Sequence, residues 1–194
     1  MNIKIVNGFV IRNTIDVDFS GIGGRQLYAY IPTEELWIDQ VISDETEFLT
    51  KLHELELKCL LQGMNYAQTR KKVCEQLITK TNQTPQQIYH QQAVIYSFPI
   101  ETGRVDVVDG KIIRKYLDPK FIQGGNDFVY SYIPSGRICV EKSFDKEFQY
   151  IALHEWRERT LMMTGMSYDD AHDYACAAEK AERRRQGIAK YLKG

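Results

Sequence analysis

Tyr130-Ser131-Tyr132-Ile133-Pro134 repeats Tyr28-Ala29-Tyr30-Ile31-Pro32 at a separation of 102 residues, and the match extends in both directions. Upstream, Asn7-Gly8 and Ile11-Arg12 are answered by Asp109-Gly110 and Ile113-Arg114, and Gly23-Gly24 by Gly124-Gly125. Downstream, Glu47-Phe48, His53-Glu54, Gly63-Met64 and Tyr66 are answered by Glu147-Phe148, His154-Glu155, Gly165-Met166 and Tyr168. A shared order of this length implies an internal duplication with a period near half the chain. The expected fold class is α+β, with two pseudo-symmetric units, 1–78 and 104–194, joined by a linker or insertion at 79–103. Each unit is expected to hold antiparallel hairpins followed by a helical hairpin.

The hairpins are read from local chemistry. Asn7-Gly8 and Asp109-Gly110 each stand between apolar runs and suit a two-residue turn that needs positive φ. A second strand pair is expected from Tyr28 to Ile31 with Leu36 to Asp39, and from Tyr130 to Ile133 with Arg137 to Val140, around Pro32 and Pro134. The period then becomes helical. Phe148, Ile151, Ala152, Trp156, Leu161 and Met162 predict one helix ending near Gly165, and Ser167 with Asp170 has the spacing of a cap for the next, as do Asn65 and Gln68. Ala93 to Phe98 reads as an extra strand. Leu60, Leu61, Leu161, Met162 and Met163 are expected in the core, and Tyr66 and Tyr168 beneath the helix connections.

The two copies differ where chemistry would reside. His154 and Glu158 lie four residues apart and so share a helix face about one turn apart. Imidazole and carboxylate are both competent zinc ligands, and His172 on the following helix supplies a third. Glu155 is then placed as the general base that takes a proton from metal-bound water. Glu179, two turns beyond His172, is a weaker fourth-ligand or outer candidate, and Cys176 is read as a small buried thiol at a helix contact. In the first copy Arg70 stands at the His172 position, and Leu57 at the Glu158 position if His53 is set against His154. No metal is expected there; Arg70 is expected to pair with Glu54 or Glu56.

Composition bounds the rest. The chain of 194 residues has 43% hydrophobic and 26% charged residues, with a formal net charge of -1. This is ordinary globular composition and gives no general attraction to nucleic acid or anionic membranes. Arg183-Arg184-Arg185, with Lys190 and Lys193, is expected to be a solvated basic helix end rather than a nucleic-acid site. Four cysteines without C-x-x-C spacing, and no apolar run of membrane-spanning length, point to a cytoplasmic protein with no membrane partner.

The second half, with Tyr132-Ile133-Pro134, His154-Glu155-x-x-Glu158-Arg159-x-Leu161-Met162, Gly165-Met166-Ser167-Tyr168-Asp169 and Ala171-His172, resembles a group of short prokaryotic and phage-encoded proteins. More distantly it is similar to the zincin-like metallopeptidases, in which a small antiparallel sheet precedes the metal-binding helix. It departs from the zincin pattern at Glu158, where a second His would stand. The resemblance implies a metal-dependent hydrolase, with zinc or another divalent transition metal as cofactor and a peptide or protein as substrate. The strand around Arg137 to Glu141 would offer its edge to that peptide. The alternative is a non-catalytic phage or host interaction protein braced by a structural metal or a polar network.

Overall fold

The computed structural model describes residues 1–101 and 103–190. The first half runs β1 (Asn2–Val6), α1 (Gly8–Thr14), β2 (Ile22–Gly24), β3 (Glu35–Asp39), a 3-10 turn at Gln40–Glu45, α2 (Thr46–Leu61) and α3 (Tyr66–Leu77). The second half repeats that order as β5 (Gly103–Val108), α5 (Gly110–Tyr116), β6 (Gly124–Asn126), β7 (Arg137–Glu141), a 3-10 turn at Lys142–Glu147, α6 (Phe148–Met163) and α7 (Tyr168–Arg185). Between them lie α4 (Pro85–Ile88), a π-helical stretch Tyr89–Ala93 and β4 (Val94–Ile100). The α+β class is thus observed. No helix among the described residues is long and apolar enough to cross a membrane.

The expected hairpins are not present. Asn7 and Asp109 are helix N-caps, their side chains accepting from the Val10 and Lys111 amides, and the glycines after them open α1 and α5. Glycine is needed there for close approach, not for positive φ. A Cβ on Gly8 would lie 1.8 Å from Asp39 Oδ2, and one on Gly110 would lie 2.2 Å from the Glu141 carboxyl carbon. Each carboxylate ends the next strand but one, and Asp39 accepts from the Gly8 amide at 3.2 Å, where a helix N-terminus favours negative charge. The chain therefore crosses over through a helix, and β1 pairs with β3 in parallel (Asn2↔Glu35 to Val6↔Asp39), as β5 does with β7 (Arg104↔Arg137 to Val108↔Glu141). The short β2 and β6 add antiparallel on the far side, and the residues from Tyr28 to Ile31 and Tyr130 to Ile133 form turns, not strands.

Two sheets result, ordered β1-β3-β2 and β4-β5-β7-β6. Within the segment expected as a linker or insertion, the extra strand expected at Ala93 to Phe98 is present as β4, the edge strand of the second sheet, and Ile88, Tyr89 and Ala93 before it are buried. β7 is interior, flanked by β5 and β6, so it has no edge to offer a peptide; the edge next to α6 is β6. The largest apolar cluster joins Leu36, Ile38, Leu49 and Leu52 with Val105, Ile138, Val140 and Ile151. One core thus serves both halves.

Buried charge crosses the same seam. Arg12 donates to Asp39 Oδ2 of its own half (2.7 Å), to Glu147 Oε2 of the other (2.8 Å) and to the Phe19 carbonyl (3.0 Å). Arg114 donates to Glu141 of its own half (2.8 and 2.7 Å), to Glu45 of the other (3.0 Å) and to the Phe121 carbonyl (2.9 Å). Each guanidinium is thereby held by one carboxylate from each half. Arg183, expected at a solvated helix end, is fully buried, pairing with Glu147, Glu179 and Asn13. Its neighbours in sequence suggest a surface, but α7 turns this face inward.

This arrangement sets a pH dependence. Burial alone would raise the Glu147 pKa, but hydrogen bonds and charge from Arg12 and Arg183 win and hold it below its ordinary 4.5. A depressed folded-state pKa contributes stability that is complete above the unfolded value and is lost as pH falls through the folded one. The urea midpoint is therefore expected to hold from pH 7 to about 5 and to drop below about 4.5. Glu147→Gln should show a visibly shallower acid limb; an unchanged limb would show that other carboxylates govern it.

Candidate metal centre

α6 and α7 form the helical hairpin on which the centre is built. α6 stops at Thr164, Gly165 follows at φ +92, and the Ser167 hydroxyl caps α7 by accepting from the Asp170 amide at 3.2 Å. A left-handed glycine just past the helix end reverses the chain at little cost, so α7 returns antiparallel along α6. Positions 154 and 158 of one helix then face 172, 176 and 179 of the other.

The sequence-predicted ligands come together there. His172 Nδ1 lies 2.9 Å from Glu158 Oε2 and 3.2 Å from His154 Nε2, and His154 Nε2 lies 3.6 Å from Glu158 Oε2. In a tetrahedral zinc site with bonds of about 2.0–2.1 Å, neighbouring ligand atoms sit about 3.3 Å apart. The three observed separations bracket that edge. Glu155, Glu158, Glu179 and Asp18 lie around the two imidazoles, with Glu179 also paired to Arg183.

Outer contacts orient the rings. His154 Nδ1 meets Glu179 Oε2 at 3.1 Å, which leaves Nε2 free to face inward, and Glu179 is itself fixed by Arg183 at 2.8 Å. A carboxylate on the second nitrogen of a ligating histidine fixes its tautomer and raises its basicity. Glu179→Ala is accordingly expected to weaken zinc binding by about 10–100-fold, with Glu179→Gln retaining part of it, as read by competition with a chromophoric chelator. Equal affinity in all three proteins would remove Glu179 from this role.

His172 is held from the other half of the chain, its Nε2 lying 3.1 Å from Asp18 Oδ1 and 3.6 Å from Cys176 Sγ. Tyr168, expected beneath the helix connection, is instead partly exposed and stacks on this ring at 5.6 Å. Cys176 is therefore beside the site, and His154, His172 and Cys176 form a second donor set within metal-binding reach.

Glu155 points to the sheet side of the pair. Its Oε2 accepts from Asn126 Nδ2 at 3.3 Å, while Glu158 Oε1 accepts from the same amide at 2.7 Å, so Asn126 bridges the two carboxylates. Gly124 allows this approach, since a Cβ there would fall 3.0 Å from Glu155 Cγ and 2.8 Å from Ile151. Burial, then the charge of Glu158, raises the Glu155 pKa to about 7. Glu158 experiences burial too, but hydrogen bonds from His154 and His172 outweigh it and bring it to about 2. Two carboxyl groups on one helix are thus separated into a permanent anion and a group that holds or releases a proton near neutrality. Hydrogen bonds from Asp18, Cys176 and Glu158 raise the His172 pKa. A cavity of about 250 Å³ opens beside His154, Glu155, Glu158 and His172.

The equivalent place in the first half is differently equipped. α2 and α6 have the same length and begin at 46 and 148, so Leu52 stands opposite His154, His53 opposite Glu155, and Glu56 opposite Glu158. Setting His53 against His154 is one residue out of register. Arg70 pairs with Asp118, not with Glu54 or Glu56, and Glu56 is held by Lys120 at 2.7 Å. Protein cations occupy those carboxylates.

Asp18 and Asn126 were not legible as site residues from motif spacing. Both stand where the copies differ, Asp18 against Lys120 and, because β2 and β6 set Gly23-Gly24 against Gly125-Asn126 and not Gly124-Gly125, Asn126 against Gly24; such a difference is the signal that singled out His172. No family model, curated protein or solved structure matches the chain.

Proposed function

We propose that the chain is a duplicated α+β unit whose second copy is a zinc-dependent hydrolase acting on a peptide or protein, in the manner of the zincin-like enzymes. The observation that supports this most is the mutual spacing of His154 Nε2, Glu158 Oε2 and His172 Nδ1 with Glu155 beside them over one cavity. The duplication is supported by the repeated element order and by the crossed arginine pairs.

His154, Glu158 and His172 would hold the ion, which when bound supplies Lewis acidity at an open coordination position. Glu155, on the wall of the cavity beside these ligands, takes the proton of an attacking water and returns it to the leaving group. Asn126 keeps Glu155 and Glu158 apart in function by bonding both. Glu179 fixes His154, and the Asp18 contact fixes His172.

The test is hydrolysis of a diverse peptide mixture by the zinc-loaded protein, followed by mass spectrometry. Glu155→Gln should retain zinc yet lose about 10²–10⁴-fold in rate. Peptides left intact by the wild type would refute the reading. A second reading, a structural ion in a non-catalytic interaction protein, is favoured by Cys176, which forms an alternative donor set with His154 and His172. In that case Cys176→Ser would weaken zinc binding as strongly as His172→Ala, and Glu155→Gln would change nothing.

A further inference from the structure

Away from the metal centre, the first half carries a cavity of about 170 Å³ walled by Leu27, Leu57, Leu60 and Tyr66, with His53 and Thr69 among its lining. Leu60 was expected in the core, yet it is 50% exposed, and Leu27 and Tyr66 are 63% and 66% exposed. Single apolar side chains at a surface need no explanation, but three around one concavity mark a binding site. Two buried polar groups accompany them. Thr69 is 5% exposed and its hydroxyl has no hydrogen-bond partner among the described residues, while burial lowers the pKa of His53 and favours its neutral ring.

The pocket neighbours the cavity at His154 through a third cavity that shares lining residues with both. That third cavity, of about 70 Å³, shares Leu27, His53, Glu56 and Lys120 with the pocket, and Ser20 and Ile122 with the cavity at His154. The three share walls in a row across the seam between the halves. Where they meet, Lys120 is paired with Glu56 and lies 4.8 Å from the Tyr66 ring.

We propose that this pocket is a specificity subsite that receives an aromatic side chain of an extended peptide whose scissile bond lies at Glu155 and His154; the occupant's identity rests on the hydrolase reading above. Size selects the occupant: an apolar protein cavity of about 150 Å³ holds benzene, and this one is of that order. Chemistry selects it as well. The walls reject charge, and the Thr69 hydroxyl and neutral His53 can meet a phenolic or indole hydrogen-bonding group.

The experiment uses N-acetyl-phenylalanine amide and N-acetyl-glycine amide as probes in amide-resolved NMR titrations of the full chain. The phenylalanine probe is expected to shift Leu27, Leu60 and Thr69 saturably and to bind at least tenfold tighter than the glycine probe. Leu60→Asp, at an exposed position, should remove that preference, whereas His154→Ala should leave it intact. Equal binding of the two probes, shifts located elsewhere, or indifference to Leu60→Asp overturns the subsite. In the peptide mixture, cleavage should show an aromatic residue at one fixed position from the cut, a preference lost in Leu60→Asp while cleavage of other peptides continues. Cleavage without such a preference overturns the subsite and leaves the hydrolase reading standing. Absence of cleavage with the phenylalanine preference retained overturns the hydrolase reading, and the substrate role with it, but not the pocket's aromatic selectivity.

Discussion

Zinc added to metal-free protein is expected to saturate at one equivalent per chain, and His154→Ala or His172→Ala to lower the affinity by at least about 100-fold, more than the 10–100-fold typical of an outer partner. The expectation follows from geometry: removing either imidazole leaves two of the three converging donors. Leu52 occupies the position equivalent to His154, and Glu56 is already paired with Lys120. Elemental analysis together with calorimetric titration measures both quantities. Two equivalents per chain, or one equivalent retained in both variants, would place the ion elsewhere. Thermal stability should follow the same pattern, because an ion that binds only the folded state raises the midpoint of unfolding.

Glu147→Ala is expected to cost about 3–5 kcal/mol, the range for breaking a buried ion pair and leaving charge uncompensated. This carboxylate serves two fully buried guanidiniums at once, Arg12 and Arg183. Against a typical domain stability of about 5–15 kcal/mol that is a large fraction, and the midpoint should fall by roughly 6–20 °C. Glu45→Ala, the equivalent change, should cost less: Glu45 is partly exposed, and the Arg114 it pairs with keeps its two bonds to Glu141. Denaturant unfolding of the pair measures the difference, and equal costs would contradict it. Glu147→Ala should also weaken zinc binding, since Glu147 anchors Arg183, which positions Glu179 on His154.

Which parts of this molecule were legible in the sequence follows from how local each determinant is. α6 and α7 were read from a 3.6-residue period, a glycine and a serine cap, all contained within a few turns, and His154 with Glu158 followed from helical geometry. Asn7-Gly8 and Asp109-Gly110 misled because a glycine required for a carboxylate's approach looks like one required by a turn; the carboxylates, Asp39 and Glu141, lie 31 residues further along. Parallel pairing of β1 with β3 has no local signature, since it depends on where the crossover lands. The burial of Arg183 was hidden for the same reason. Its partner Glu147 lies 36 residues away in sequence, whereas its neighbours Arg184 and Arg185 suggested solvent. Asp18 reaches His172 across 154 residues and belongs to a segment whose own copy shows no ligand pattern.

The covalent connection through residues 79–101 has a further consequence. Two identical subunits arranged like these halves would form a homodimer, with each site encoded by the same codons, so any substitution that emptied one site of its ligands would empty both. Joined in one chain, the copies are inherited separately. One can retain His154, Glu158 and His172 while the other exchanges those positions for Leu52, Glu56 held by Lys120, and Arg70. Asymmetry between its two clefts is a freedom that a single chain has and a homodimer lacks.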